Sequence, residues 1–283
     1  MVVIWAANYS VVKLAISELQ PRAFNTVRMV LGSTVYFGAL WMSRQARPTA
    51  PAPPIEARDW WRLAALGVIG HFIYQICFMG GLSRTTVANS SLILGCSPVV
   101  ITLLSAAAGH DRVGRWHWIG AALSAAGVYL IVGRGAAMSG ASAQGDLLSL
   151  AALVCWSAYT VGARPLLLRH SPLVVSGYPL AIGTFLYALT ALPVLVRTDW
   201  AAVSWPVWGA LVFSSLLALN LAYWIWYVGV QRLGSARASI YGNLIPVVAV
   251  VLAALWMGER IPPTIAVGAV AIVMGITLAR LAR

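Results

Sequence analysis

Charge is scarce in this sequence. Only 9% of the 283 residues are charged, whereas 60% are hydrophobic. A soluble domain carries about 25% charged residues, and so little charge cannot cover the surface of a soluble protein of this length. The composition therefore excludes a soluble globular protein and indicates a polytopic membrane protein.

Acidic side chains are the scarcest charged groups. An exporter that trades protons for cationic drugs usually keeps a carboxylate inside the membrane. The distribution of the acidic residues disfavours that mechanism, because every one falls at the end of an apolar run or in a connection. The seven are Glu18, Glu56, Asp59, Asp111, Asp146, Asp199 and Glu259.

Motifs for metal binding, disulfides and catalysis are also missing. Cys77, Cys96 and Cys155 lie in apolar runs without a C-x-x-C pair, which is typical of small buried side chains. There is no H-E-x-x-H, G-x-S-x-G or Walker loop. We therefore predict no catalytic residue, metal or cofactor. The net charge of +12 forms no basic stripe, so no nucleic-acid partner is expected.

What the chain has is apolar runs of membrane-spanning length. The runs are continuous and not alternating, so they predict helices and not barrel strands. The first run has no basic n-region or cleavage site and is predicted to be a span, not a signal peptide. The sequence predicts an all-α polytopic membrane protein with ten transmembrane helices, at 2–18, 24–42, 60–80, 85–107, 115–134, 146–168, 173–196, 205–231, 235–256 and 262–281.

The distribution of basic residues predicts the orientation. If the N-terminus lies in the cytoplasm, twelve basic residues fall on that side and five on the other. The remaining two, Lys13 and Arg28, lie inside spans. This positive-inside bias predicts that both termini are cytoplasmic, in a bacterial-type inner membrane. The long connection at 43–59 is polar and proline-rich and is predicted to be a solvated loop.

The chain also repeats itself. Five spans make up each copy, so the second copy enters the membrane from the opposite side, and the halves relate by a pseudo-two-fold axis in the membrane plane. We predict a first repeat at 1–134, a connecting loop at 135–145 and a second repeat at 146–283. The matching pairs are Pro98/Pro246, Asp111/Glu259, Gly120/Gly268 and Gly127/Gly275 at offset 148, and Trp5/Trp156 and Lys13/Arg164 at offset 151.

Several of these residues resemble a known family. The aromatic start of each half (Trp5 with Tyr9, Trp156 with Tyr159), the basic residue late in that span and the turns GHDR and GERIPP are similar to the drug/metabolite transporter superfamily. Within it, the stretch ARASIYGNLIPVVAVVLAALWMGERI most resembles EamA-type exporters, and the aromatic spans resemble their aromatic amino acid branch. The resemblance implies an inverted pair of five-helix units that exports amino acids or other metabolites.

Aromatic residues lie in the middle of the eighth span. Asn220, Tyr223, Trp224 and Tyr227 have the i, i+3, i+4, i+7 spacing of one helix face. Trp226 is predicted on the opposite, packing side. Shifted by 149 residues, this face falls on a matching stripe in the third span: His71, Tyr74, Gln75 and Phe78.

Polar groups on these stripes cannot face lipid without losing hydrogen bonds. They pack against other helices or line a cavity, and the pairing of the stripes favours an aromatic-lined cavity between the repeats. We therefore predict the stripes as a substrate site. Further candidates are Asn8 and Tyr9 in the first span and Trp156 and Tyr159 in the sixth. Lys13 either reaches the membrane surface or binds a substrate carboxylate.

Two prolines are candidate hinges. Pro98 and Pro246 lie inside the fourth and ninth spans, where each removes a backbone donor and produces either a fixed kink or a hinge. His71 is the one central group that titrates near neutrality, so it is the candidate for proton coupling, although uncoupled transport stays open.

These features predict a secondary transporter that exports amino acids, with aromatic ones favoured, or related metabolites by alternating access. Its expected partners are a small-molecule substrate and the lipid bilayer, and the expected state is a monomer. The alternatives are a broad efflux carrier for drugs or toxic cations, an intramembrane enzyme, and a channel.

Overall fold

A computed structural model describes residues 1–45, 54–85, 87–111, 113–137, 142–245, 247–248, 251 and 263–281. The described residues are almost entirely helical, and no β-strand occurs among them. This confirms the predicted all-α class. The end of the predicted ninth span, 235–256, lies largely outside the described residues.

The helices follow the predicted spans closely. We number them α1 to α10, with α4 in two pieces and α9 continuing as a short 3-10 helix. They are α1 (Val2–Glu18), α2 (Pro21–Gln45), α3 (Ala57–Arg84), α4 (Val87–Gly95 and Ser97–Ala107), α5 (Arg115–Ala137), α6 (Ala143–Leu167), α7 (Pro172–Arg197), α8 (Trp205–Leu233), α9 (Ser235–Ser239, then Ile240–Asn243) and α10 (Pro263–Leu281).

One predicted connection is shorter than expected. The sequence predicts a solvated loop over 43–59, but α2 continues to Gln45 and α3 begins at Ala57. The basic and acidic residues near these two ends are compatible with helix outside the apolar core of a bilayer, so polarity alone did not locate the helix ends.

The outer surface is apolar, as a lipid-facing surface requires. Among the described residues, α3, α6, α7 and α8 are long and apolar enough to cross a membrane, and shorter apolar helices occupy Ser97–Ala107 and Ala266–Ala279. Large apolar side chains such as Val196 and Trp205 are more than 80% exposed. Such exposure is unfavourable in water and expected in lipid.

The helices α5 and α10 cross in a way that shows the inverted symmetry directly. Gly120 lies against the backbone at Gly275, and Gly127 lies against the backbone at Gly268. Gly120 and Gly268 are equivalent in the two repeats, as are Gly127 and Gly275. A two-fold rotation therefore turns each contact into the other. Small residues allow this close approach, which drives helix association in lipid.

Helices α4 and α9 both lose α geometry close to equivalent places in the repeats. The sequence predicts Pro98 inside a continuous span, but α4 breaks at Cys96 and restarts with Pro98 in its new first turn. A proline has no N–H and clashes with the carbonyl four residues earlier, so the preceding turn opens. In α9 a 3-10 helix, Ile240–Asn243, directly precedes Leu244, which is the equivalent of Cys96 at the offset of 148. The second hinge candidate, Pro246, lies outside the described residues.

An ionic cluster joins the repeats at the start of α3. The buried Asp59 carboxylate receives a hydrogen bond from His170 at 2.7 Å and pairs with Arg169 at 3.0 Å, both just after α6. Arg169 also donates to Glu56, and this bond raises the pKa of the Arg169 guanidinium further above its usual value. The cluster therefore keeps a cation beside Asp59 at every pH of biological interest.

The other end of α3 also contacts the second repeat. Thr85, just after α3, donates to the Asp146 carboxylate near the start of α6 at 2.7 Å.

Asp111, after α4, accepts from the Ala236 amide at 3.0 Å and so caps the start of α9. Gly234 precedes that cap with a φ of 90°, a conformation that favours glycine. Contacts between repeats therefore close both ends of the bundle.

The crossing of α5 and α10 predicts a selective loss of stability. In Gly275→Ala, the new methyl group would meet Ser124 and the Gly120 backbone, so we expect a destabilisation of about 1–3 kcal/mol. Gly209→Ala is the control, because nothing lies within 4 Å of a methyl group there. The melting temperatures of the two detergent-purified variants measure the effect of each substitution. Equal melting temperatures for the two variants would contradict the crossing.

The ionic cluster predicts a second difference. Asp59→Asn removes the buried partner of both His170 and Arg169, so we expect a lower melting temperature. Glu56→Gln removes a contact of a side chain that is 61% exposed, and we expect a much smaller effect. The same unfolding measurement compares them, and a larger effect from Glu56→Gln would disprove this ranking.

Candidate functional site

Two π-helical segments lie at equivalent places in the repeats. Val68–Ile73 interrupts α3, and Ser214–Leu221 interrupts α8. The repeat offset of 149 places the first on 217–222, so the two overlap. A π turn widens the helix, and such segments occur often at functional sites. Each segment contains the first residue of a predicted aromatic stripe, which is His71 in α3 and Asn220 in α8.

The π segment of α8 offers backbone carbonyls to other helices. Trp5 of α1 donates its indole N–H to the Ala218 carbonyl at 3.1 Å, and Tyr36 of α2 donates to the Asn220 carbonyl at 2.9 Å. The Asn220 side chain donates to the Ser215 carbonyl at 2.9 Å. Side chains of three helices thus satisfy the widened turn, which fixes α1 and α2 against it.

Four rings meet at the centre of the molecule, and we call them the central ring cluster: Trp5, Trp156, Tyr223 and Trp226. Ring centroids are 5.6 Å apart for Trp5 and Trp156, and 5.5 Å for Trp156 and Trp226. Tyr223 stands edge-on to both Trp5 and Trp156. Because Trp5 and Trp156 are equivalent in the two repeats, their contact lies on the pseudo-two-fold axis.

Further rings extend the cluster through both repeats. His71 bonds Tyr159 through Nε2 and the hydroxyl at 2.8 Å, and the Tyr159 ring lies 5.5 Å from that of Tyr227. On the other side, Tyr74 stacks on Phe78. Glycine at 183 leaves room for His71, since a methyl group there would collide with the His71 Cβ.

A buried arginine lies beside these rings. The Arg28 side chain donates to Asn25 at 2.6 Å, to Gln75 at 2.9 Å and to Ser214 at 3.0 Å. Ser214 in turn donates to Asn8 at 2.7 Å. These five residues, from α1, α2, α3 and α8, form what we call the guanidinium cluster. Arg28 is only 2% exposed, and among the described residues it forms no salt bridge.

Several buried polar atoms without partners lie in these two clusters or in the turns beside them. Within the described part of the chain, they are five of thirteen such atoms: Arg28 Nε, His71 Nδ1, Gln75 Nε2, Asn220 Oδ1 and Trp226 Nε1. Most buried polar groups in proteins are hydrogen-bonded, so unpaired groups indicate strain or a missing ligand. Donors and an acceptor of this kind, beside ring faces, can bind a solute that is both aromatic and polar.

The structure brings most of the predicted site residues together. Their part in binding stays a prediction, but their placement in the two clusters, or in the turns beside them, is shown by burial and contacts. They are His71, Tyr74, Gln75, Phe78, Asn220, Tyr223, Tyr227, Asn8, Tyr9, Trp156 and Tyr159.

The predicted face of α8 is wrong at one position. Trp224 is 44% exposed and belongs to an outward stripe with Leu217, Leu221 and Ile225, whereas Trp226 is 3% exposed and lies in the central ring cluster. The π segment of α8 has eight residues and that of α3 has six. Because a π turn holds more residues than an α turn, the longer segment turns the following residues, and the stripes do not superimpose at this position.

Of the two alternatives predicted for Lys13, the structure favours the one outside the site. It is exposed and donates to the Leu82 carbonyl in the last turn of α3 at 3.1 Å. Its repeat equivalent Arg164 binds the Val230 and Gln231 carbonyls in the last turn of α8. Both cations therefore satisfy carbonyls at a helix C-terminus, where positive charge is favourable.

Sequence reasoning missed the guanidinium cluster. Arg28 was visible as an intramembrane charge, but its neutral partners Asn25 and Ser214 carry no motif. One signal was available: no carboxylate lies in the interior of a predicted span, so a buried Arg28 is expected to find neutral partners or an external anion. Among the described residues, no group of three potential metal ligands occurs.

Comparison with known proteins agrees with this architecture. The model of the EamA-like transporter family matches residues 1–133 and again residues 143–281. A solved crystal structure superposes with a TM-score of 0.78 at 24% identity, covering 100% of this chain and 95% of the other, which shows a shared fold.

Curated relatives extend over nearly the whole chain. A probable terminal-alkyne amino-acid exporter of Streptantibioticus cattleyicolor is 29% identical, covering 98% of this chain and 90% of its own. An uncharacterised transporter of Archaeoglobus fulgidus is 26% identical, with 97% and 93% covered.

The corrected face of α8 predicts opposite outcomes for two tryptophans. Trp226→Ala empties a packed site between two indole rings, and we expect a destabilisation of about 3–5 kcal/mol. Trp224→Ala removes an outward ring and should shift the melting temperature little. Thermal unfolding of both purified variants measures the difference, and an equal or larger shift for Trp224→Ala would contradict the outward position of Trp224.

Proposed function

The chain belongs to the EamA-like transporter family, and on this premise we propose that it exports amino acids, with aromatic ones favoured, or related metabolites. That it is a membrane transporter follows from the family. The substrate class is the proposal. The observation that carries it is the central ring cluster, which both repeats build on the pseudo-axis beside unpaired polar atoms.

The chemistry of the site supports this class of solute. Offset and edge-on ring pairs contribute about 0.5–1.5 kcal/mol each beyond burial, so an indole or phenyl ring of a solute can replace the contacts that the cluster now makes with itself. The unpaired donors and acceptor suit the polar end of an amino acid. The relative from Streptantibioticus is named as an amino-acid exporter, which agrees with the proposal.

Alternating access accounts for the contacts at the two ends of the bundle. The Asp59 cluster joins the repeats at one end of α3, and the bond from Thr85 to Asp146 joins them at the other. A solute reaches the central rings only when one of these ends separates. We propose that they open in turn, with the breaks in α4 and α9 as hinges.

The remaining features of the proposal follow the sequence. We propose repeats at 1–134 and 146–283 joined by 135–145, a monomer in a bacterial-type inner membrane, and cytoplasmic termini. The positive Arg28 beside the ring cluster disfavours efflux of drugs or toxic cations. His71, which bonds Tyr159 across the repeats, remains the candidate for proton coupling.

Counterflow in liposomes tests the substrate class. We expect saturable uptake of labelled tryptophan or phenylalanine into liposomes loaded with the same unlabelled amino acid, without chemical change. Uptake that never saturates would indicate a channel, and product formation would indicate an enzyme. Counterflow of organic cations but of no amino acid would overturn the proposal.

Two tryptophan variants test whether amino acid counterflow depends on the central ring cluster. Trp156→Ala removes a ring that contacts Trp5, Tyr223 and Trp226, and we expect counterflow to fall at least about tenfold. Trp41→Ala is the control, because Trp41 is 64% exposed. Equal counterflow rates in the two variants would mean that the substrate does not bind at the central ring cluster.

A further inference from the structure

Arg28 is a buried cation whose described partners are all neutral. Asn25, Gln75 and Ser214 each accept one hydrogen bond from it, and the Phe24 ring lies 5.9 Å from its central carbon. An ionised group inside a membrane protein normally pairs with an opposite charge or faces a watered pathway. Here the described residues supply dipoles but no counter-charge.

The charge of Arg28 cannot be removed by deprotonation, because a guanidinium stays protonated in proteins. A buried lysine or histidine could lose its proton to avoid an unpaired charge. Arg28 therefore stays a cation, and the acidic residues that the structure describes lie at helix ends and in connections, away from it.

Hydrogen-bonding capacity at Arg28 is incomplete. Its Nε has no partner among the described residues, and neither has Nε2 of the adjoining Gln75. These are two donors beside a positive charge, and donors that flank a cation suit an oxyanion. A carboxylate can accept from the free Arg28 Nε–H and from Gln75 Nε2, and hydrogen bonds between ionised groups are stronger than neutral ones.

The position of Arg28 connects it to the rings. Ser214, which accepts from Arg28, donates to Asn8, and Asn8 lies one helical turn from Trp5 of the central ring cluster. Gln75 follows Tyr74, whose ring lies 5.8 Å from that of Trp156.

We propose that Arg28 binds the carboxylate of the transported solute while the central ring cluster binds its aromatic side chain. This inference rests on the proposed function and narrows the substrate to aromatic carboxylates, amino acids included. Lys13, for which the sequence left a carboxylate contact as one of two alternatives, is exposed and bound to a helix end, so we assign that contact to Arg28.

The internal repeat explains why the protein would have one carboxylate site, because Arg28 has no equivalent arginine in the second repeat. At the offset of 151 that aligns Trp5 with Trp156, Arg28 falls on Pro179. The rings therefore follow the pseudo-two-fold symmetry, and the guanidinium does not. A solute with one ring and one carboxylate matches such a site in a single orientation.

Competition between matched compounds tests the proposal. Counterflow of labelled tryptophan into liposomes is challenged with unlabelled tryptophan, indole-3-propionate, tryptophanamide and tryptamine. In the wild type we expect the two carboxylates to compete at least about tenfold better than the two compounds without one, as expected for hydrogen bonds to a charged group. In Arg28→Gln this preference should fall to within about twofold.

Two further variants distinguish the planar guanidinium group of Arg28 from a positive charge alone. Arg28→Lys keeps the charge without the planar fork, so we expect it to keep the carboxylate preference with weaker binding. Arg22→Gln is the matched control, an exposed arginine on the same helix, and should keep the full preference. A preference that persists in Arg28→Gln overturns the inference while leaving aromatic amino acid export intact.

A second measurement uses only the purified wild type, so it does not depend on whether the variants fold. It compares how far each compound raises the melting temperature of the protein. Tryptophan and indole-3-propionate should raise the melting temperature more than tryptophanamide at equal concentration. Equal stabilisation by acid and amide, or displacement of the acids by chloride alone, contradicts carboxylate binding at Arg28. Absence of any aromatic amino acid counterflow in the wild type is a failure of the proposed function instead.

Discussion

A guanidinium inside a bilayer has to be satisfied by the protein, and in this chain the side chains around Arg28 come from four helices. Asn25 lies on its own helix, Gln75 on α3 and Ser214 on α8, while Asn8 of α1 completes the set through Ser214. Water is absent from the hydrocarbon core, so these polar groups hold the helices in one arrangement. The positions of the ring-bearing turns of α1, α3 and α8 depend on that arrangement.

The sequence predicted the coarse architecture well because its signals act over long stretches. Continuous apolar runs located the helices, and the matching glycines of α5 and α10 identified the inverted repeat. Periodicity also placed His71 and Tyr223 correctly. It failed for Trp224, because an α-helical period cannot be extended through a π segment whose length differs between the repeats. Lys13 could not be assigned either, because a helix-end carbonyl and a substrate carboxylate both attract a cation.

The two π segments explain how a symmetrical fold can hold an asymmetric site. Both occur at the same level of their repeats, but only that of α8 begins with serines that reach α1 and α2: Ser214 bonds Asn8, and Ser215 donates to the Arg28 carbonyl. In α3 the π segment presents His71 to Tyr159 instead. Equivalent backbone irregularities thus display different side chains, so a single charged group lies beside rings that both repeats contribute.

The contact between Trp5 and Trp156 has a special status in any exchange of conformation between the repeats. When each half adopts the shape of the other, a contact between residues a and b becomes a contact between their equivalents. For most pairs that is a different contact, so it breaks on one side as its partner forms on the other. Trp5 and Trp156 are each other's equivalent, and their contact is carried onto itself. If the repeats exchange conformations as proposed, the two indoles stay in contact at the axis while the contacts at the ends of the bundle change.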